Sequence, residues 1–293
     1  MAAGPYFLGV DLGGTRLRVA AVTGDGRLAS DVACAPTGRG FGPEDLRRAL
    51  LRLTDQVRAA LPGRCLDAMG FGTAGVVGRG PLSQCDNLPL LNGLEVAELV
   101  GGVVDCPVTL ENDARCFTLA EARYGAGRGA RDVCGITLGT GVGCGVLLGG
   151  RLHRGAGSQA GEVWRIPLRG RHLEYFLSGE GLVRSYEAAG GSPGLDPAAV
   201  ESRARDGAEA AARGAWQAFG EDLAFLCTCV IALYDPAIIV VGGSLSGASD
   251  LYGPVLSSRL DGQFTRIAGS ELGSAAGVIG AATVSMETLD GGS

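Results

Sequence analysis

The chain has 293 residues, 46% hydrophobic and 19% charged, with a mean hydropathy of +0.22, enough apolar material for one large domain or two ordinary ones. All 25 basic residues are arginine, set against 31 acidic ones for a net charge of −6. An acidic chain with no arginine cluster is a poor nucleic-acid ligand, and the absence of lysine excludes a Walker-type phosphate lysine, a Schiff base and a protein-kinase-type catalytic lysine. No uninterrupted apolar run approaches the ~20 residues of a membrane span, and the N-terminus lacks the order of a secretory signal. The expectation is a cytoplasmic protein with neither a membrane nor a nucleic-acid partner.

In chain order, residues 7–12 read as a buried strand and 16–23 as a second, with the turn "TGDGR" pointing to a further hairpin strand. Residues 44–60 carry helical spacing at Leu46, Leu50, Leu53 and Val57. A strand over 66–71, a Gly/Pro-rich loop through Asn92, a short strand over 108–110 and a helix over 114–124 follow. Next come strands over 133–138 and 144–148 around "GTGVG", then helices over 174–189 and 207–234. A short apolar strand over 238–241, a helix, a strand and a final helix over 275–289 complete the pattern. Strands alternating with helices predict an α/β fold. The nine cysteines are scattered, several in apolar runs (Cys134, Cys144, Cys227), and are expected to be reduced buried thiols. Cys227 and Cys229, two apart on a helix, point to different faces and make no metal site.

The informative feature is an internal echo. "FLGVDLGGTRLRVAAV" (7–22) and "VCGITLGTGVGCGVLL" (133–148) both read strand, Gly/Thr turn, strand, and each opens one half of the chain. A Gly-Gly pair in a hairpin is ordinarily only a turn. A dinucleotide fingerprint needs a helix after its glycines, and "RLRVAAV" alternates like a strand. Two matching tips imply a duplicated two-lobe protein, with bare backbone N–H groups from both tips holding one polyphosphate between them. Gly13, Gly14 and Thr15, with Gly139, Thr140 and Gly141, are the candidate phosphate residues. Asp11 is the candidate for a water-mediated Mg²⁺. Gly242, Gly243 and Ser244 end the strand "AIIVVGG", where an adenosine can rest.

"TLENDARCFTLAEARYGAGRG" (109–129) sets Glu111, Asn112 and Asp113 at a strand end just before a helix, where side chains face the cleft of an α/β fold. Asp113 reads either as a helix N-cap or as the base that takes a hydroxyl proton during phosphoryl transfer. The neighbouring Asn112 amide suits a polyol.

These stretches resemble the ROK sugar kinases of the actin/Hsp70/hexokinase superfamily. "GVDLGGT" is similar to the family's first phosphate motif and "ENDARCFTLAEARYGAGRG" to its catalytic stretch, with Asp113 in the base position. "LGTGVGCGVLLGGRLHRGAGSQAGEV" resembles its second phosphate and sugar run, "DNLPLLNG" its sugar loop at Asn87, and "VVGGSLS" its adenosine position. The resemblance implies a duplicated actin-like ATPase fold with ribonuclease H-like halves and an interlobe cleft. The smaller lobe would span 1–113, joined by the C-terminal helix 275–293, and the larger 114–274. It also implies ATP and Mg²⁺, a sugar hydroxyl of the C6 type as acceptor, and a homodimer. The first phosphate motif begins at residue 9, so the helix-turn-helix of the family's repressors is not expected.

One stretch departs from the family. In "AGEVWRIPLRGRHLEYFLSGEG", Glu162 and Glu174 match sugar-binding glutamates, but Trp164 stands in place of a glycine, Arg165 in place of a histidine, and the cysteine-rich zinc loop is missing. No structural zinc is expected; His172 is read as a surface or loop residue and His153 as a structural one. Trp164 and Arg165 reshape one side of the sugar site. The principal expectation is a glucokinase-like hexose kinase. The alternatives are a kinase of the exocyclic hydroxymethyl of C7-cyclitols, as in some relatives, and a sugar- or nucleotide-binding sensor without catalysis.

Overall fold

The opening hairpin forms as its alternation requires: β1 (Tyr6–Leu12) runs antiparallel to β2 (Arg16–Thr23), with Asp11 directly across from Arg18. The computed structural model describes residues 5–61, 63, 65–78, 80–206 and 209–291. β3 (Ala33–Pro36) extends the hairpin, while β4 (Ala68–Thr73) and β5 (Val108–Asn112) join β1 in parallel, giving the order β3-β2-β1-β4-β5. The second half repeats this. β6 (Val133–Leu138) and β7 (Val142–Leu148) form its hairpin, β8 (Arg151–Leu152) its outer strand, and β11 (Ile238–Gly242) and β12 (Arg266–Gly269) its parallel pair. The order is β12-β11-β6-β7-β8, the same plan as the first sheet. The sequence echo is therefore a duplicated sheet topology.

The helices bury the faces their spacing predicts. α1 (Pro43–Ala59) turns Leu46, Leu50, Leu53 and Val57 inward; Pro43 opens it, and the Asp45 carboxylate accepts from the Gly42 N–H at 3.1 Å. α2 (Val96–Gly101) is a single short turn before β5. α3 (Asp113–Tyr124) lies on the second sheet and α8 (Ala276–Gly291) on the first, and the two pack against each other between the sheets. This middle layer is a core of its own, shared by Phe7, Ala68, Phe117, Leu119, Val240 and Val278 among others.

Several boundaries differ from the sequence reading. The helix expected over 174–189 is α4 (Gly179–Ala188), because the Ser178 hydroxyl accepts from the Gly181 N–H at 3.1 Å and fixes a later start. Leu173–Tyr175, with Glu174 at its centre, is a separate 3₁₀ turn. The small hairpin of β9 (Pro167–Leu168) and β10 (Arg171–His172) was not expected; nor was α5 (Pro197–Arg205), although Asp196 caps it and Pro197 opens it. The pattern over 207–234 is α6 (Ala210–Tyr234); residues 207 and 208, like 292 and 293 of the segment 275–293, lie outside the described residues. α6 is the one described helix long and apolar enough to cross a membrane, yet half of its most apolar window is buried, and Trp216, Phe219, Leu223 and Cys227 sit in the second lobe's core. α7 (Ser249–Arg259) covers α6. All nine cysteines are free thiols.

The middle layer is tight enough to require glycine. A Cβ on Gly70 would stand 1.7 Å from the Ala281 carbonyl oxygen, and one on Gly280 1.8 Å from that of Cys116. Gly280→Ala gains about 1 kcal/mol of helix propensity. It also drives a methyl into backbone, and overpacking costs about 1–3 kcal/mol or more. The expected result is a net loss of stability, read as a lower denaturant midpoint at unchanged slope. A midpoint at or above that of the parent would show that the two helices can part freely.

Candidate active site

Both glycine turns open on one cleft of about 600 Å³. They are built alike. The Gly13 N–H donates to the Arg16 carbonyl at 2.9 Å, and the Gly139 N–H to the Gly141 carbonyl at 3.0 Å, so each turn closes on itself and leaves the tip facing the cleft. Neighbours leave no room for larger residues: a Cβ on Gly14 would lie 2.8 Å from that of Asn87, and one on Gly141 2.2 Å from the Glu174 carboxylate. Cradles of bare backbone such as these suit a polyphosphate. Thr15 and Thr140 are exposed at the two tips, and Gly243 and Ser244 line the cleft beside the second. Gly242 does not line it; it lies behind, where a Cβ would meet the Phe117 ring.

Asp113 is the first residue of α3, aimed into the cleft from the end of β5. The capping role weighed for it falls to Asn112, whose Oδ1 accepts from the Arg115 N–H at 3.2 Å while its Nδ2 donates to the Gly75 carbonyl at 3.1 Å. The Asp113 Oδ1 accepts from the Ala114 N–H at 2.8 Å. Burial pushes the Asp113 carboxyl up to about 7, helped by the charges of Asp11 and Glu162 and opposed by the Ala114 N–H. Burial also raises Asp11, against the pull of the Arg18 guanidinium 3.0 Å from its Oδ2. A cleft carboxylate beside a phosphate cradle fits Mg²⁺, which keeps several waters and needs few protein ligands.

Asn87, Glu162, Trp164 and Glu174 also line the cleft, Asn87 against Gly14 and Glu174 against Gly141. The Trp164 indole N–H donates to the Glu162 Oε2 at 2.6 Å, and the Val142 N–H donates to the Glu174 Oε2 at 3.0 Å. Arg165 is exposed and outside the cleft lining. Its guanidinium donates to the Gln159 side chain at 2.9 Å and stacks over the Trp164 ring. His153 and His172 are both exposed, edge-on to Tyr234 and Trp164. Among the described residues no cluster of three or more His, Cys, Asp or Glu side chains is placed to hold a metal ion.

Two features were not singled out from sequence. Arg18 lines the cleft; its cross-strand relation to Asp11 about the Gly13–Gly14 turn was the available signal. The buried Arg115 donates to the Glu111 Oε1 at 2.9 Å and to the Ser158 and Ala160 carbonyls at 2.5 and 3.4 Å. The Arg154 Nε donates to the other Glu111 oxygen at 2.6 Å. This knot ties the loop leading to Glu162 onto α3.

The sequence profile of the ROK family matches residues 7–287. The chain is 30% identical to the glucokinase of Streptomyces coelicolor, over 96% of this chain and 97% of that protein. It is 29% identical to the N-acetylgalactosamine kinase of a Shewanella species, over 94% and 95%. Among solved structures, a ROK family glucokinase from Streptomyces griseus in complex with glucose and AMPPNP superposes with a TM-score of 0.83 at 26% identity, over 95% of this chain and 98% of that one. The duplicated sheets and the middle helices are thus the actin-like kinase fold.

Proposed function

The chain belongs to the ROK family and is a sugar kinase, and on that footing we propose that it moves the terminal phosphoryl group of ATP to the primary, C6-type hydroxyl of a glucose-like hexose. The observation that carries this reading is the convergence of two backbone cradles and the Asp113 carboxylate on one cleft. Here Gly13, Gly14, Thr15, Gly139, Thr140 and Gly141 hold the phosphates, and Gly243 and Ser244, backed by Gly242, flank the adenosine. Asn87, Asn112, Glu162 and Glu174 hold the acceptor ring, with Arg165 bracing Trp164 from outside. Asp113 Oδ2 takes the hydroxyl proton as the oxygen attacks the γ-phosphorus; the bond to the bridging oxygen breaks, and its electron pair leaves on ADP. Positioning and charge neutralisation supply most of the rate. Asp11 would hold Mg²⁺ through water, and that ion would offset phosphate charge. The lobe assignment carried by this reading is 1–113 with the returning segment 275–293, and 114–274, working as a cytoplasmic homodimer.

A second acceptor class is favoured by Trp164, whose indole walls the acceptor end and occupies one Glu162 oxygen. A sugar mimic such as a C7-cyclitol, lacking the ring oxygen, is the alternative. ADP release measured over hexoses, acetamido sugars and cyclitols separates the two. The expected outcome is turnover only with an added polyol, and kcat/KM highest for a glucose-type hexose. A higher value for a cyclitol transfers the assignment to the mimic, and no turnover with any acceptor leaves a sensor.

A further inference from the structure

One fully buried carboxylate is not used by the proposed reaction. Glu121 lies about two turns along α3 from Asp113 and is 0% exposed. Its Oε1 accepts from the Ser270 hydroxyl at 2.5 Å and the Leu272 N–H at 3.0 Å. Its Oε2 accepts from the Ala126 N–H at 2.9 Å and the Glu271 N–H at 3.2 Å. All four of these partners are neutral donors. Burying a carboxylate is costly even where hydrogen bonds satisfy it, and a leucine would fill the inner face of a helix without that cost. The pattern is that of a brace: one side chain holds both the turn that ends α3 and the segment that follows β12.

The braced segment faces the cleft. Ser270, Gly273 and Ser274 line it, as do Ala276 and Gly277 at the start of α8. The Ser270 N–H donates to the Val241 carbonyl at 2.9 Å, which sets the segment beside Gly242 at the end of β11. Gly243 and Ser244, given above to the adenosine, follow directly. While donating to Glu121, the Ser270 hydroxyl accepts from the Gly273 N–H at 2.9 Å, so the turn closes around it. A Cβ on Gly277 would stand 2.6 Å from the Asp11 carboxylate. The path of the segment therefore also sets how closely α8 approaches Asp11.

We propose that Glu121 is a positioning residue for the nucleotide: its carboxylate fixes the segment 270–274 as the wall against which the nucleoside rests, and ties that wall to the helix that carries Asp113. The inference rests on the ATP-cleft reading above and adds a residue that touches neither nucleotide nor acceptor. A carboxylate has two acceptor oxygens and no donor. An amide in its place turns an NH₂ group towards two of the donors it now accepts from, so the isosteric Glu121→Gln should release half of the brace. Aspartate keeps the charge but is one methylene shorter, and does not reach both segments.

The test compares the parent with Glu121→Gln and Glu121→Asp. ATP and ADP binding are measured calorimetrically, and steady-state kinetics are run with Mg²⁺ and the best acceptor of the panel above. For either variant the expected result is ATP and ADP affinity weakened alike by about 10-fold or more, the scale of one hydrogen bond to a charged group, with the ATP KM raised to match. The acceptor KM, and kcat at saturating ATP, should stay within about 3-fold of the parent. Hydrogen exchange over 270–275 should quicken by about 10-fold or more, with β11 unchanged. A residue that served the fold alone would move the ATP and acceptor constants together or move neither, and either result in a folded variant overturns the assignment. Glu121→Asp stands in if the glutamine variant does not fold. Failure of the parent itself to bind ATP would remove the cleft reading beneath, a result distinct from a parent that binds ATP and variants that bind it equally well.

Discussion

Asp113→Asn should lower kcat by about 10²–10⁴-fold, the usual range for losing a general base, with ATP affinity nearly unchanged. The substitution keeps the Oδ1 acceptor that the Ala114 N–H uses, and it leaves the N-cap of α3 to Asn112, so helix and cleft persist. What is lost is the group that accepts a proton. The parent's acid limb should report that group. A base works deprotonated, and with the carboxyl pushed up to about 7, kcat/KM should fall roughly tenfold per pH unit below that value. The asparagine variant should show no such limb. Stability should move the opposite way. A carboxyl of about 7 in the fold and 3.8 as its ordinary value disfavours ionisation in the native state. The parent is therefore penalised as pH rises from about 4 to about 7, and Asp113→Asn should be the more stable protein at pH 8 and not at pH 4. A variant of full activity would remove Asp113 from the proton-accepting role.

Glu111→Leu should be the most destabilising single change near the site, at about 3–5 kcal/mol, the range for breaking a buried ion pair by removing one partner. Arg115 is 1% exposed and Glu111 2%, so the orphaned guanidinium has two carbonyls for partners and no counter-charge. Removing both, in Glu111→Leu with Arg115→Met, should recover much of that loss, because an apolar pair of similar volume is often neutral or better. The double variant should nonetheless raise the acceptor KM, since the loop from Arg154 to Glu162 has lost its tie to α3. Chemical denaturation of the single and double variants reads the first effect and steady-state kinetics the second. A double variant as unstable as Glu111→Leu would show that the knot's worth lies in its packing.

Much of this was legible in the chain because the fold is repeated. One glycine hairpin is ambiguous, but two in register at the head of each half specify a duplicated sheet, and both sheets have the same strand order. A strand apolar on both faces, such as β1, and a helix with one apolar face, such as α1, were found close to their ends. The segment 163–189 was read less well. Its short hairpin and 3₁₀ turns carry no periodicity, and the start of α4 is fixed by one serine hydroxyl. α5 was missed despite its Asp-Pro opening, because nine residues with two buried positions give little helical signal. At the site, backbone cradles and Asp113 follow from residue type and position. Arg18 and the Glu111–Arg115 knot do not, because side-chain partners follow from which faces meet. Arg165 shows the converse: expected with Trp164 to reshape one side of the sugar site, it turns outward here, while Trp164 faces the cleft.

The helix that covers the first sheet is also the last to be made. β1, β2, β4 and β5 leave the ribosome within the first 112 residues, but α8, which buries Phe7, Ala20 and Ala68, begins at Ala276. At about 5–20 residues per second, that face waits on the order of ten seconds or more for its cover. Nascent chains therefore carry an open apolar sheet through most of synthesis. A stop codon anywhere before Ala276 would yield a chain that cannot close its first lobe, a substrate for chaperones and proteases.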